Sequence, residues 1–328
     1  MDFDQLFRNF SNYKVGVVGD VMLDTYWWGH VERISPEAPV PVVSLDKRET
    51  RIGGAGNVAL NLVSLGAATS IFSVIGEDEA GKALNNLMQE QGINTSYIVC
   101  SDTRKTTDKI RVISRNQHMM RLDAETITDL QQSIEDALID RVTDYVINEK
   151  PAVIIFEDYN KGVLTQRVIA EIISVCRQHK VITAADPKRK NFFSYKGVTI
   201  FKPNLKEVKD GLNLLVDDPD ITALINIHQS LKEQLDHEIS FITLSEKGVF
   251  FQKGNQAAII PSHFRRIADV SGAGDTVIAV AALLYANSSD VKLMAEIANI
   301  AGGLVCEEVG TAAINKEKLL RECKLLLS

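Results

Sequence analysis

The chain has 328 residues, of which 45% are hydrophobic and 24% are charged, and its formal net charge is −7. This length suits one large α/β domain, and an acidic balance without a basic tract argues against binding to nucleic acid. The longest apolar run, 277–286, is too short to span a bilayer, and the first residues lack the charge pattern of a signal peptide. The four cysteines have no metal-ligand spacing. We therefore expect reduced thiols in a cytoplasmic protein that contacts neither nucleic acid nor membrane.

Predicted strands and helices alternate along the chain. Apolar runs of strand length are predicted at 14–23, 69–78, 151–162, 181–188, from 197 onward, and 239–261, the last as a strand with a hairpin. Helical spacing is predicted at 57–66, 80–92, 164–180 and up to residue 210. Such alternation is typical of an α/β fold with a mostly parallel central sheet and helices on both faces.

Two segments, 40–54 and 106–125, are β-rich and lie between these units. They could be extra strands of the central sheet, but we favour a small separate β-sheet that projects from it as a lid, with segments at about 31–52 and 97–122. We treat 1–328 as one domain that includes this lid. A sheet too small to bury its own apolar positions often pairs with its twin, so we predict a homodimer through the lid.

In parallel sheets of this kind, ligands bind outside the carboxyl ends of the strands. The stretch GEDEAGKA (76–83) has the glycine and lysine spacing of a phosphate-binding P-loop. However, Ala83 stands where Ser or Thr is needed, and three acidic residues would repel a phosphate, so we predict an ordinary turn there. No predicted strand is followed by a dinucleotide fingerprint, which disfavours a dehydrogenase.

The stretch DVSGAGDT (269–276) comes directly before an apolar helical run. Gly272 and Gly274 permit a tight turn with bare N–H groups, and the helix that follows presents its first amides to the same place, which predicts an anion site. The helix dipole favours an ionised Asp275, which could accept a proton from a substrate hydroxyl. The alternative is that Asp275 only caps the helix.

Four motifs in this order resemble those of the PfkB (ribokinase-like) carbohydrate kinases: GGAGNVALNLVSLG (53–66), KPNLKE (202–207), TLSEKGV (243–249) and DVSGAGDT (269–276). The resemblance extends over nearly the whole chain. It implies a ribokinase-like fold and a phosphotransferase that acts on an alcohol group. Val270 stands where the family pattern has Thr, which removes one hydroxyl beside the anion site.

Further segments narrow the resemblance to the heptose-7-phosphate kinases of the lipopolysaccharide heptose pathway: 33–43, 108–125, 157–164 and 186–188. This implies ATP-dependent phosphorylation of the anomeric C1 hydroxyl of D-glycero-D-manno-heptose 7-phosphate, in ADP-heptose synthesis. In several bacteria that kinase is fused to a nucleotidylyltransferase, and we expect this chain to be the stand-alone kinase. The alternatives are another PfkB sugar kinase, acting on a fructose phosphate or a nucleoside, and a non-catalytic sugar or nucleotide sensor.

The resemblance also implies roles in catalysis and nucleotide binding. Asp275 is the expected base, and the amides of Gly272, Ala273 and Gly274 are expected to hold the γ-phosphate of ATP. The remaining residues expected to contact the nucleotide are Asn204 and Glu207, which organise Mg²⁺ through water, with Ser245, Lys247, Gly248, Asn299 and Gly303. Each has a structural alternative: a helix cap, a β-turn, or helix packing.

The implied sugar contacts are Asp20, Gly53, Gly54 and Asn57. The 7-phosphate also needs a cation, and the candidates are Lys109, Arg111, Arg121, Lys161 and Lys188. Those on the lid could instead form an ordinary charged face. Asp186, like Lys188, follows a predicted strand and could reach either phosphate. Asp269 and the stretch 310–313 resemble a loop that binds a monovalent cation.

Overall fold

The computed structural model describes residues 2–115, 117–215, 218–263 and 265–327. In chain order, the strands of this described part are β1 (Lys14–Gly19), β2 (Val21–Ile34), β3 (Pro41–Gly54), β4 (Ala68–Phe72), β5 (Val74–Gly76), β6 (Val99–Ser101), β7 (Thr107–Ser114), β8 (Gln117–Ala124), β9 (Val153–Glu157), β10 (Ile182–Asp186), β11 (Ile200–Phe201), β12 (Ile239–Thr243), β13 (Val249–Lys253) and β14 (Gln256–Ile260). Its α-helices are α1 (Phe3–Arg8), α2 (Ala55–Leu65), α3 (Glu79–Glu90), α4 (Gln132–Glu149), α5 (Gln166–Gln178), α6 (Leu205–Leu212), α7 (Ile221–Leu235), α8 (Ala273–Ser288), α9 (Val291–Val305) and α10 (Lys316–Leu326).

The larger sheet has the strand order β14-β13-β12-β11-β10-β9-β1-β4. Strands β12, β11, β10, β9, β1 and β4 pair in parallel with their neighbours, and β13 and β14 add an antiparallel edge. The central strands are short apolar runs buried on both sides, as a parallel sheet covered by helices requires. Helices α2, α8 and α9 pack on one face and α4, α5 and α7 on the other. The predicted fold class is confirmed.

The small sheet has the order β3-β2-β7-β8, in which β2 and β7 are parallel and the other pairs are antiparallel. It is a separate sheet, as predicted. Its strands overlap the predicted segments without matching their bounds, because β2 and β3 both run back to the edge of the large sheet, at residues 21 and 54.

The prediction of one strand over 14–23 is wrong, because the chain changes sheets at Asp20. β1 ends at Gly19 in the large sheet and β2 begins at Val21 in the small one. The N–H of Asp20 donates to the carbonyl oxygen of Glu157 (3.2 Å), and its carbonyl oxygen accepts from the N–H of Ala55 (3.0 Å). Asp20 therefore joins the two sheets at the start of α2.

The motif at 76–83 is an ordinary helix start, as predicted. The Asp78 side chain caps α3 by accepting from the N–H of Gly81 (2.7 Å), and its other oxygen accepts from the N–H of Thr106 (2.9 Å). An acidic side chain thus fills the place that a phosphate would need. Among the helices of the described residues, none has the length and apolar character needed to cross a membrane.

Candidate active site

Buried carboxyl groups gather where β1, β9 and β10 end. Gly19, Glu157 and Asp186 are register partners across these strands, so the side chains of Glu157 and Asp186 lie on the same face of the sheet. The start of α8 packs against this face, because a Cβ added to Gly274 would lie 3.6 Å from Oδ2 of Asp186. The carboxyl end of the sheet and the N-terminus of a buried helix therefore meet, which is where ligands bind in such folds.

Helix α8 begins at a glycine turn. Gly272 is the N-cap with a φ of 79°, in the left-handed region, and its carbonyl oxygen accepts from the N–H of Thr276 (3.0 Å). A Cβ at Gly272 would lie 2.8 Å from Nδ2 of Asn57. The first N–H groups of α8 have no partners within the helix, which is the geometry of an anion site.

Asp275 is the third residue of α8 and does not cap it, so the capping alternative is wrong. Its Oδ2 accepts from Nδ2 of Asn57 (2.7 Å), and its Oδ1 accepts from the hydroxyl of Tyr159 (2.8 Å). Burial raises the pKa of Asp275, although the hydrogen bonds from Asn57 and Tyr159 act in the opposite direction. A carboxylate with a raised pKa is a better proton acceptor than an exposed aspartate.

Two lysines surround Asp186. Lys202 Nζ lies 2.8 Å from Oδ2 of Asp186, and Lys188 Nζ lies 3.3 Å from its Oδ1 and 2.8 Å from Oε1 of Glu207. Burial would raise the pKa of Asp186, but the two ammonium groups outweigh it and the pKa is lowered. Burial would lower the pKa of Lys188, yet Asp186 and Glu207 hold it above its ordinary value. The group is thus a charged network beside the first turn of α8.

Asn204 and Glu207 form a capping box at the start of α6, which is the structural alternative for this pair. Asn204 Oδ1 accepts from the N–H of Glu207 (2.8 Å), and Oε2 of Glu207 accepts from the N–H of Asn204 (2.8 Å). The other oxygen of Glu207 accepts from Lys188, so this carboxylate also joins the network around Asp186.

Asp20 lies beneath the loop after β9 rather than facing an open cleft. Its oxygens accept from the N–H groups of Tyr159 (2.9 Å), Lys161 (3.1 Å) and Val163 (3.1 Å). Burial raises its pKa, and these three donors oppose the shift. A carboxylate engaged in this way supports the loop, so the geometry favours a structural role over the predicted sugar contact.

Asp24 lies beside the glycines of β3, at the junction of the two sheets. It is a buried residue of β2, and a Cβ at Gly53 would lie 2.4 Å from its Oδ2. Gly54 has a φ of 60°, and a Cβ there would lie 2.3 Å from the carbonyl oxygen of Asp20. Both glycines therefore allow β3 to pass close to β2 at the junction of the sheets, within the same region as Asn57.

The cationic candidates on the small sheet share one face. Lys109 pairs in register with Asp24, and Arg111 pairs with Arg121, so their side chains lie on the same side. Arg111 Nη1 lies 2.5 Å from Oδ1 of Asp24, and the Lys109 ammonium lies 5.4 Å from the ring centroid of Tyr159. This face therefore points toward the loop after β9 that carries Tyr159.

The two outer candidates are held differently. Lys161 donates to Glu125 (2.7 Å) and is mostly buried beside the loop that carries Tyr159. Arg121 lies on the edge strand β8 and is exposed, with both guanidinium contacts made to Asp123 (2.9 Å each). Lys161 therefore lies on the loop that carries Tyr159, whereas Arg121 lies on the edge strand of the small sheet.

The predicted nucleotide residues lie along the next part of the same edge. Ser245 and Lys247 are exposed in a short 3-10 turn after β12. Gly248 has a φ of 99°, and a Cβ there would lie 2.0 Å from the carbonyl oxygen of Ile260, the last residue of β14. Asn299 Nδ2 donates to the carbonyl oxygen of Pro261 (2.8 Å), which fixes that loop against α9. A Cβ at Gly303 would lie 2.9 Å from a side-chain atom of Arg265, so close packing is the observed role of this glycine.

The two loops predicted to hold a monovalent cation are adjacent. Asp269 Oδ1 accepts from the N–H (2.9 Å) and the hydroxyl (2.8 Å) of Ser271, and its Oδ2 accepts from the N–H of Gly310 (2.9 Å). Val309, beside this loop, accepts a hydrogen bond from Arg51 of the small sheet (2.9 Å).

Tyr159, Lys202 and Glu157 also belong to this site, although no spacing pattern singled them out. Lys202 is inside the KPNLKE motif and directly follows β11, while Glu157 is the last residue of β9 and Tyr159 is the second residue after it. Burial raises the pKa of Glu157 well above its ordinary value, and Asp186 and Asp275 add to the shift. Their position at or just after strand ends was the available signal.

A family model for pfkB family carbohydrate kinases matches residues 12–318. The chain belongs to the PfkB family. PfkB carbohydrate kinases transfer a phosphoryl group to a sugar hydroxyl, so the predicted family and enzyme class are confirmed.

Among curated relatives, the protein is similar to bifunctional protein HldE of Aliarcobacter butzleri, with 39% identity over 92% of this chain and 63% of the relative. It is also similar to bifunctional protein HldE of Geobacter sulfurreducens, with 37% identity over 97% of this chain and 64% of the relative. The chain thus spans just under two thirds of the length of these relatives.

Solved structures show the same fold at low sequence identity. Phosphofructokinase-2 from Escherichia coli in complex with potassium matches with a TM-score of 0.80 and 15% identity, over 96% of this chain and 100% of that chain. Arabidopsis thaliana ribokinase complexed with ribose and ATP matches with a TM-score of 0.71 and 15% identity, over 94% and 99%.

Proposed function

We propose that this PfkB kinase phosphorylates the C1 hydroxyl of D-glycero-D-manno-heptose 7-phosphate with ATP, giving the 1,7-bisphosphate of ADP-heptose and lipopolysaccharide precursor synthesis. The observation that carries the proposal is the buried Asp275 in the first turn of α8, beside the glycine turn at which that helix begins. The similarity to HldE proteins supports the heptose substrate. We take residues 1–328 as one cytoplasmic kinase domain, with the small sheet as its lid.

Asp275 accepts the proton of the C1 hydroxyl as that oxygen attacks the γ-phosphorus. The new bond joins the C1 oxygen to phosphorus, and the bond from phosphorus to the bridging oxygen breaks, so ADP leaves with the electron pair. The N–H groups at Gly272, Ala273 and Gly274 stabilise charge on the transferred group, and one such donor is worth about 3–4 kcal/mol at the upper end. Lys202 lies near the same turn, since a Cβ at Gly274 would be 3.7 Å from its Nζ.

The residues at the site suit Mg²⁺ bound through water. Asn204 Oδ1 and Glu207 Oε2 are engaged in the capping box and Glu207 Oε1 accepts from Lys188, so these oxygens would contact Mg²⁺ only through its bound waters. Mg²⁺ keeps several waters and uses one or two carboxylates together with substrate phosphates, so this sparse set fits it. When bound, the ion would offset phosphate charge. The loops at Asp269 and Gly310 are the proposed place for a monovalent cation.

The basic face of the small sheet suits the 7-phosphate. Lys109 lies against the ring of Tyr159, Lys161 follows Tyr159 by two residues in the loop after β9, and Arg111 is on the same face of β7 as Lys109. Burial lowers the pKa of Lys109, which a bound dianion would reverse. Replacing Lys109 with Met should raise KM for the sugar phosphate by at least tenfold while changing KM for ATP little.

The other face of the small sheet supports the proposed homodimer. Ile110 and Leu122 are register partners, as are Val112 and Met120, so they form an apolar surface opposite the basic face. Met120 and Leu122 are 58% and 42% exposed. A second copy of the sheet would cover them. Light scattering should give the mass of a dimer at micromolar concentration, and a Met120→Glu variant should be monomeric; a monomeric wild type would contradict the proposal.

The experiment that tests the function measures ADP release from ATP and Mg²⁺ with D-glycero-D-manno-heptose 7-phosphate, fructose 6-phosphate, ribose or no sugar. Asp275→Asn should reduce heptose-dependent turnover by about 10²–10⁴-fold. The control is Asp220→Asn, because Asp220 caps α7 and Asn caps equally well. Turnover only with another sugar would support a different PfkB kinase, and no turnover with any sugar would support a sensor.

A further inference from the structure

We infer that Tyr159 is a positioning residue for the proposed base, holding the Asp275 carboxylate in place and setting how readily it takes a proton. The inference rests on the proposed function, because it assumes that Asp275 is the base. Tyr159 is the second residue after β9 and its side chain is partly buried, with the hydroxyl directed at Asp275.

The carboxylate of Asp275 is fixed from both sides. Tyr159 donates to Oδ1 (2.8 Å) and Asn57 donates to Oδ2 (2.7 Å), so each oxygen receives one hydrogen bond. A carboxylate held this way cannot rotate freely, and each oxygen keeps a lone pair for a substrate hydroxyl. The two donors come from the loop after β9 and from α2, on different sides of the site.

Tyr159 is itself held in place. Its backbone N–H donates to Oδ2 of Asp20 (2.9 Å), which anchors the loop beneath the site. The ammonium of Lys188 lies 5.6 Å from its ring centroid, and that of Lys109 lies 5.4 Å away. Lys188 belongs to the network around Asp186, whereas Lys109 belongs to the small sheet. The Tyr159 side chain therefore contacts the proposed base, a lysine of the network around Asp186 and a lysine of the small sheet.

The hydroxyl favours the ionised form of Asp275. Other groups that act on this carboxylate are Lys202, which also favours ionisation, and the carboxyl groups of Asp186 and Glu157, which oppose it. A hydrogen bond to a charged group is worth enough to change proton affinity by about tenfold or more. Removing the hydroxyl should therefore make Asp275 bind its proton more tightly, so that less of the free base is present on the acidic limb of the pH profile.

The test is the pH profile of kcat for Tyr159→Phe, with heptose 7-phosphate and ATP saturating. We expect the acidic limb to move up by about one pH unit, with kcat lowered about tenfold on that limb and changed less on the alkaline plateau. The matched control is Tyr195→Phe, since Tyr195 is another buried phenol that donates to a carboxylate, Asp158 (3.0 Å), without touching Asp275. Its profile should match that of the wild type.

A second substitution keeps the shape of the side chain. With 3-fluorotyrosine at position 159 the phenol is a stronger donor, so the acidic limb should move to lower pH. The inference would be overturned if the acidic limb of the pH profile did not move in Tyr159→Phe or in the 3-fluorotyrosine protein. It would also be overturned if Tyr195→Phe showed the same shift as Tyr159→Phe. If Asp275→Asn retained full turnover, the proposed function would fail; if Asp275→Asn were inactive and the limbs did not move, only the role of Tyr159 would fail.

Discussion

The ion pair between Lys202 and Asp186 should be a main contributor to the stability of the site. The side chains are 3% and 5% exposed, and the charged atoms are 2.8 Å apart. At an effective dielectric of about 20, that separation gives an attraction of about 6 kcal/mol, before the cost of desolvation. Replacing Lys202 with Met should destabilise the protein by about 3 kcal/mol, the lower end for a broken buried pair, because Lys188 still faces Asp186.

The assay is urea unfolding of Lys202→Met, Asp186→Asn and the double variant, followed by circular dichroism. Lys206→Met is the control, since Lys206 is an exposed residue of α6. The effects of the two single variants should fail to add by about 0.5–3 kcal/mol, because each removes the same interaction. Additive effects, or a Lys202→Met midpoint equal to that of Lys206→Met, would refute the reasoning.

Three further predictions concern buried ionisable groups and one loop. The pKa of Glu157 is raised by burial and nearby carboxylates, so the stability it contributes is present below about pH 4.5 and is lost as pH rises through its folded pKa. The thermal stability that Glu157→Gln gains over the wild type should therefore be larger at pH 8 than at pH 5. An equal gain at both pH values would contradict this. Burial lowers the pKa of His228 to about 4 and of His237 to about 3. The protein should therefore lose stability as pH falls below about 6.5, and the loss should level off near these two pKa values. In the same thermal melts, the stability of His228→Gln should depend less steeply on pH than that of the wild type. Gly248→Ala should raise KM for ATP several-fold because its Cβ would meet a backbone oxygen at 2.0 Å, whereas Gly254→Ala, also at positive φ but with open space around it, should leave KM unchanged.

The strand and helix pattern predicted the layers of the fold, but it could not show that one apolar run serves two sheets. Residues 15–23 are continuously apolar apart from Asp20, because strands buried in either sheet need the same side chains. Helix α4 was not predicted, although its buried Leu138, Val142, Tyr145 and Val146 recur at helical spacing. Periodicity was present there, but no motif drew attention to it.

Within the site, the sequence predicted the features that neighbouring residues determine, and it did not predict the contacts between residues far apart in the chain. The glycine turn and Asp275 could be predicted because neighbouring residues determine a turn and a helix start. Tyr159 is 116 residues away from Asp275, so its position two residues after β9 indicated the edge of the sheet but not its contact with Asp275. Asp20 was assigned to the sugar because it follows a strand, yet it accepts from the loop that carries Tyr159.

The placement of β1 has a consequence for how the chain is made on the ribosome. β1 pairs with β4 on one side and with β9 on the other, and β9 ends at Glu157. Synthesis proceeds from the N-terminus at about 5–20 residues per second. The apolar strand β1 is made early, but it cannot pair with β9 until almost half of the chain has been synthesised. During that interval its open edge is available to other chains, and chaperones that bind extended apolar segments should associate with the nascent N-terminal half.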